Sequence, residues 1–385
     1  MRAAAVVFAA LGLASAAAAG DNGLLAAQAR YLPQAQRHFS GDADGLQARY
    51  DAARDLEEAA KAEPARSASC RRLRSALLRF AHAQVAIAEA SDYPVRRGRP
   101  YVLPHVPASC SAAAGGSAQT SHTFPSLRLD PAARIARPES GTDVRLESRL
   151  AAIGLAYRGW AGFWVHDLRT GRTAGWNSDA FFAAGSAVKL GPLLAALPSP
   201  SLVYDVAQIG AWSSNLAANR IVEKLGLARV NDALRRLGMW SSTYPGLYRA
   251  GTSARRDAPK PPPRTHTRLT TAHDLGRALY RIHAAALGNR LALRQLGVTR
   301  ALARVALARL LASLPLGDNK GLVRPWLPRA TIAQKNAWLS DLRTTAAIVY
   351  RPAGPVIVVV EASRPGITTR EARALGAQVV RAAGL

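Results

Sequence analysis

The chain has 385 residues, 49% of them hydrophobic, which is enough for two domains and excludes a largely disordered polypeptide. It carries 51 Lys+Arg against 25 Asp+Glu, a formal net charge of +26, spread along the sequence as single arginines and short pairs. A nucleic-acid binder would show a concentrated basic stripe with aromatics, so no nucleic acid is expected, and anionic cell-wall polymers are the better candidates for a charged partner.

The N-terminus reads as a secretory signal over residues 1–20. Met1-Arg2 gives a short basic region, an apolar run centres on Val6 to Leu13, and small residues follow from Ala14 to Gly20. An uncleaved anchor is the alternative. The predicted location is therefore the periplasm, the cell envelope or the medium. Residues 21–93 form a helical N-terminal region, with Leu46, Tyr50, Ala53, Leu56 and Ala60 on one stripe and Leu73, Leu77, Phe80 and Ile87 on another. Residues 94–142 read as a linker, broken by Pro94, Pro100, Pro104 and Pro107 and rich in Ser, Ala and Gly from Ser111 to Ser121. The two cysteines, Cys70 and Cys110, suggest one disulfide in an exported protein, with two free thiols as the alternative. No His or Cys pair has ligand spacing, so neither a metal nor another cofactor is expected.

Regular patterning begins near residue 143. Leu146, Leu150 and Ile153 predict a helix, Trp160 to Leu168 a strand, and Arg172 to Trp176 a second strand after a turn. A helix over Gly185 to Leu197 follows, then helices near 203–225 and 228–237, and a long irregular loop over 239–267. Thr271, with Asp274 three residues on, starts a further helix. Another spans about 298–314. Three strands near 330–336, 344–351 and 355–361 and a helix from Thr368 close the chain. This order predicts a mixed α/β domain over 143–385, with an antiparallel sheet assembled from both ends of the segment.

The chemistry concentrates in three places. Ser186-Ala187-Val188-Lys189 puts a hydroxyl and an amine three residues apart on a helix, hence on one face. A serine can be activated by such an amine without histidine. Ser213-Ser214-Asn215 follows, and Lys335-Asn336-Ala337 lies on a predicted strand. The chain writes positive charge almost entirely as arginine, and six residues are lysine: Lys61, Lys189, Lys224, Lys260, Lys320 and Lys335. Arginine does not release its proton, whereas a desolvated lysine can. Two of those six stand in the motifs that need a titratable amine.

With Phe182 to Leu190, Ser213 to Asn219, Leu237-Gly238, Leu269 to Leu275, and Lys335 to Trp338 in this order, residues 144–385 resemble the penicillin-recognising serine hydrolases, and most of all class A β-lactamases. The resemblance implies a β-lactamase/transpeptidase-like fold, with a five-stranded antiparallel sheet flanked by helices and an all-helical subdomain. It implies catalytic roles for Ser186 as nucleophile, Lys189 as proton acceptor, Ser213 as relay to the leaving nitrogen, and Lys335 as electrostatic support. It further implies substrate contacts from Asn215 and Asn336, an oxyanion hole from the N–H groups of Ser186 and Trp338, and Arg343 within reach of a substrate carboxylate. The implied substrate is a β-lactam or a D-Ala-type peptide. Three departures stand out. The loop acid that activates the deacylating water in class A enzymes is expected near Tyr248, yet no Asp or Glu occurs between Asp232 and Asp257. Asn336-Ala337 replaces Thr-Gly. Ser186 and Ser213 are close in sequence, which removes a segment from one side of the site. The expectation is an exported serine hydrolase that acylates better than it turns over, resembling a penicillin-binding protein in behaviour. The alternative is a catalytically degenerate binding module for wall material or a protein.

Overall fold

The computed structural model describes residues 53, 56, 60, 67–90, 134–248, 268–313 and 317–385. The chain divides into two compact units, residues 1–38 with 52–123 and residues 39–51 with 124–385. In the first unit, helix α1 covers Ala68–Ala90. Leu77 and Phe80, from the second predicted stripe, are buried, as are the helical residues Ala53, Leu56 and Ala60 from the first. Cys70 is buried on α1 and disulfide-bonded. Its expected partner, Cys110, lies outside the described residues, as do the predicted signal segment and the linker up to residue 133.

The second unit is built on a six-stranded sheet. Its strands are β1 (Gly141–Thr142), β2 (Trp160–Asp167), β3 (Arg172–Trp176), and, from the end of the chain, β6 (Thr331–Leu339), β7 (Leu342–Tyr350) and β8 (Val356–Ser363). The strand order is β1-β3-β2-β8-β7-β6. The five longer strands are antiparallel, as expected, and β1 adds a two-residue parallel pairing on β3. Two short strands, β4 (Phe182–Ala183) and β5 (Leu269–Thr270), pair separately beside the sheet. Residues 137–142, the end of the proline-rich stretch, are tied to the domain through Arg137 N to Leu168 O (2.8 Å) and Ser140 N to Gly171 O (2.9 Å).

Both faces of the sheet are covered, which is why β7 and β8 read as continuous apolar runs. Alternate residues divide between two cores. Ala333, Ala337, Ala346, Ile348, Ile357 and Val359 pack under a helical layer. That layer consists of α3 (Leu190–Ala196), α4 (Val203–Trp212), α5 (Asn215–Leu225), α6 (Leu227–Leu237), α7 (Ala272–Leu287), α8 (Arg290–Leu296) and α9 (Arg300–Leu311). Ile332, Ala347, Val349, Val356, Val358 and Val360 face the other way, against α2 (Val144–Ala156) and α10 (Thr369–Ala382). Among the described residues, no helix is long and apolar enough to cross a membrane.

The helix starts follow their capping residues. Asp143 accepts from Leu146 N at 3.0 Å, and Thr271 accepts from Asp274 N at 3.1 Å. Thr368 and Glu371 form a reciprocal capping box at the start of α10. Two features differ from the sequence expectation. The 203–225 stretch is two helices, because Ser213 turns left-handed and Ser214 caps a new helix through Ala217 N. Helix α8 has seven residues, too few for a periodic signal, and is bounded by the Asn289 cap and a left-handed Gly297.

One buried acid lies in this framework without a place in the predicted chemistry. Glu361 on β8 is fully buried, and burial, with the neighbouring charge of Asp274, holds its carboxyl well above the usual range. The folded protein therefore keeps a proton that the unfolded chain releases above its ordinary pKa, and stability falls as pH rises past that point. Glu361→Gln, which is neutral at every pH, should match wild type at about pH 4 and become progressively more stable than it toward pH 8. Urea unfolding across that range checks this; a pH-independent difference would show that Glu361 is ionised in the fold.

Candidate active site

The nucleophile candidate stands where β4 turns into the helical layer. Gly185 adopts φ +46°, and a Cβ there would lie 3.3 Å from the Cβ of Ala337. Glycine is thus required both by the turn and by the close passage of β6. Ser186 occupies the N-cap position of a short 3₁₀ turn, Ala187–Lys189, yet its hydroxyl makes no capping hydrogen bond. In a 3₁₀ turn, residues three apart eclipse one another. The sequence spacing of Ser186 and Lys189 therefore puts their side chains on the same side.

Lys189 is 0% exposed and Lys335 is 2% exposed. An ammonium or amine at that depth needs partners of its own. Lys189 Nζ donates to the backbone carbonyl of Ser213 and to Asn215 Oδ1, and lies 4.4 Å from the centre of the Tyr248 ring. Lys335 Nζ donates to Ser213 Oγ at 2.6 Å and to the carbonyl of Asn336 at 2.8 Å. Both lysines thus converge on one residue, Ser213, the first at its carbonyl and the second at its hydroxyl. Burial lowers the Lys335 pKa to about 7, so near neutral pH its amine and ammonium forms are both populated.

Ser213 can serve both lysines because of its backbone. It is the left-handed C-cap of α4, at φ 68° and ψ 36°, and one of two non-glycine residues with positive φ among those described. That conformation costs a non-glycine residue on the order of 1–3 kcal/mol and clusters at functional sites. Its own N–H still satisfies the helix end, donating to Ile209 O at 3.1 Å. Ser214 then caps α5 and places Asn215 in the first turn, with its amide oxygen on Lys189.

Two of the expected substrate contacts are engaged within the fold. Asn336 points away from Lys335, as strand alternation requires. Its Nδ2 donates to Asn319 O at 2.6 Å and its Oδ1 accepts from Thr345 Oγ1 at 2.8 Å. Left-handed Gly321 makes room for this amide, since a Cβ there would lie 2.6 Å from Asn336 Oδ1. Asn336 thus braces the back of β6 and does not face the nucleophile. Arg343 is held through one of its terminal nitrogens. Its Nη1 donates to the carbonyls of Leu339 and Leu342, at 2.7 Å for the latter, so it closes the β6–β7 hairpin. Trp338 lies in β6 directly after Ala337, in register with Arg343, and its N–H is carried on the strand segment that passes Gly185.

The position expected to hold the loop acid is occupied by Tyr248. Its hydroxyl donates to the carbonyl of Gly185 at 2.8 Å, one residue before Ser186. Burial pushes the phenol far above its ordinary pKa, so it cannot act as a base near neutral pH. Asn219 on α5 clamps the Tyr248 backbone from both sides, at 2.7 Å and 2.9 Å. Sequence reasoning did not find Arg268. Its guanidinium carbon lies 3.8 Å from the centre of the Tyr248 ring, and its Nη2 donates to the carbonyls of Gly246 and Leu247 at 2.5 Å and 2.6 Å. The sequence carries no signal for it beyond its place just before Leu269-Thr270, since arginine is common throughout this chain. Asp274, a carboxylate bonded to the start of the loop, is spent on structure and accepts from Ser241 N and Ser242 Oγ, both at 2.8 Å. Among the described residues, no group of His, Cys, Asp and Glu could hold a metal ion.

Residues 205–384 match the model of the beta-lactamase enzyme family. That stretch takes in Ser213, Tyr248, Arg268 and Lys335 and begins after Ser186 and Lys189. No curated protein matches the chain. Solved structures similar to it include a beta-lactamase from Sphaerobacter thermophilus, at 19% identity over 62% of this chain and 95% of that one, TM-score 0.48. PBP-A is similar at 18% identity over 65% of this chain and 99% of its own, TM-score 0.49. A beta-lactamase from Xanthomonas campestris pv. campestris is similar at 20% identity over 61% and 96%, TM-score 0.48. With the family match running from 205 to 384 and two buried lysines meeting on the serine of the second motif, this part of the chain resembles the beta-lactamase enzyme family in a divergent form.

Proposed function

We propose that this protein is an exported serine hydrolase that is acylated at Ser186 by β-lactams or D-Ala-type peptides and releases the acyl group slowly. The observation that carries the reading is the convergence of Lys189 and Lys335 on Ser213, beside a serine whose hydroxyl is not spent on capping. Export rests on the character of residues 1–20.

In this reading Ser186 Oγ attacks the carbonyl carbon and its proton passes to Lys189. The oxyanion is held by the N–H groups of Ser186 and Trp338, usually the largest single contribution to such a step. The bond to the leaving nitrogen then breaks, and Ser213 Oγ supplies the proton. Lys335, hydrogen-bonded to that oxygen, replaces it. A pKa of about 7 suits Lys335 to this exchange. Deacylation needs a base for water, and a buried phenol stands where that base is expected. A second reading, a binding module without turnover, is favoured by Asn336, whose amide is built into the fold and is lost to the substrate.

Intact mass spectrometry of the mature protein with a penicillin separates the two readings. A long-lived adduct on wild type and none on Ser186→Ala is expected; no adduct together with no loss of penicillin would support the binding module. Rapid Ser186-dependent hydrolysis would remove the slow step.

Tyr248→Glu places a carboxylate beside Lys189. It should shorten the adduct lifetime at least tenfold, against the ~10²–10⁴ that a well-placed base can contribute. An unchanged lifetime would mean that water does not reach the acyl group from that side.

The charge on Lys335 sets a pH dependence. Its pKa is depressed, so the cation is present below about pH 7 and lost above it. The second-order acylation constant for an anionic penicillin should fall as pH rises through about 7, and Lys335→Met should be slow at every pH. A wild-type profile flat from pH 6 to 9 would take Lys335 out of the step.

A further inference from the structure

Behind the nucleophile turn lies a small assembly that the roles above do not use. Arg268 immediately precedes β5, and its backbone carbonyl accepts from Ala184 N at 2.9 Å, joining it to the strand that leads into Gly185-Ser186. Its side chain reaches back over the far end of the long loop. One guanidinium nitrogen takes the two consecutive carbonyls of Gly246 and Leu247. The guanidinium covers the Tyr248 ring at 3.8 Å and also lies 5.3 Å from the ring of Tyr244. The two tyrosines meet edge to face, with centroids 5.7 Å apart. Tyr248 is thus in contact with two basic side chains, Arg268 and Lys189. Its hydroxyl is fixed on Gly185 O and its backbone on Asn219.

We propose that Arg268 is a positioning residue, holding Gly246-Leu247-Tyr248 so that the Tyr248 hydroxyl fixes the Gly185 carbonyl and its ring seats the Lys189 Nζ. The inference rests on Ser186 being the nucleophile. A guanidinium suits the task in a way that lysine does not. One of its nitrogens takes both adjacent carbonyls while its planar face stacks on an aromatic ring, which an ammonium cannot do. Its charge is also drawn to the ring face. Gly246-Leu247-Tyr248 are locked to the nucleophile turn through a phenol and a stacked cation, with no acid among the described residues of the assembly. Pinned in this way, the Gly185 peptide cannot rotate, and the direction of the Ser186 hydroxyl is set before substrate arrives. A displacement of about 1 Å at such a position costs on the order of 100-fold in rate.

The test is acylation by a penicillin, resolved into the binding constant and the first-order acylation step, for wild type, Arg268→Lys, Tyr248→Phe and the double variant, with melting temperatures beside them. Arg268→Lys keeps the charge and loses the planar stack. It should slow the first-order step about 10- to 100-fold and change the binding constant less than about threefold. Tyr248→Phe keeps the ring and loses the hydroxyl bond, and it should slow the same step. The double variant should be no slower than Arg268→Lys alone, because both act through one contact. Independent effects, or a loss confined to binding or melting temperature with the first-order step intact, would overturn the proposal. If wild type forms no acyl-enzyme, the reading of Ser186 fails by itself. Hydrogen exchange over residues 182–189 then decides the positioning role: faster exchange in Arg268→Lys and Tyr248→Phe supports it, and unchanged exchange overturns it.

Discussion

The left-handed turn at Ser213 is the constraint on which the candidate site depends. A helix continuing through residue 213 would bury the carbonyl of Ser213 in its own hydrogen bonds and turn the hydroxyl outward. By breaking there, the chain frees the carbonyl for Lys189 and aims the hydroxyl at Lys335. The backbone strain is small beside the cost of leaving two lysines buried without partners. Ser214 makes the break tolerable by capping the next helix, and Asn215 supplies the second acceptor for Lys189. Three consecutive residues therefore do three separate jobs, and none of them can be moved along the chain by one position.

The sheet contributes through its edge. β6 is the last strand in the order, so its outer side is open to the nucleophile turn while its inner side is held by β7. Strand alternation assigns Lys335 and Ala337 to the site face and Asn336 to the other. Asn336 is then satisfied entirely within the fold by Asn319 and Thr345, which holds the strand in its register. The replacement of Thr-Gly by Asn336-Ala337 changes the site in two ways. A side chain that would be a substrate contact becomes a brace, and the added Cβ of Ala337 fills space against Gly185.

The deacylation side shows an exchange of chemistry at one position. A carboxylate beside Lys189 would neutralise it and activate water. Tyr248 instead offers a π-face to the lysine and a hydroxyl to the backbone, and its raised pKa keeps it from accepting a proton. Gly246-Leu247-Tyr248 are held by Arg268 on carbonyls and rings. The described surroundings of Ser186 are thus rich in basic and aromatic side chains and poor in groups that activate water.

Much of this was legible in the sequence, for identifiable reasons. The Ser186–Lys189 spacing, the rarity of lysine and the Thr271 cap are local, and each has a physical consequence that sequence alone determines. The missing acid before Asp257 is likewise a plain absence of a residue type. What the sequence could not decide were the long-range pairings. The break at Ser213 looks like the middle of a helix until two lysines, 24 and 122 residues away, are seen to hold it. Asn336 carries a donor that fits a substrate, and only the packed structure shows that donor already taken. Arg268 is one arginine among many until the loop end and the nucleophile turn are brought together around it. Hydrogen bonds between distant segments are chosen by tertiary packing, because every polar group buried there must find a partner and the sequence does not say which.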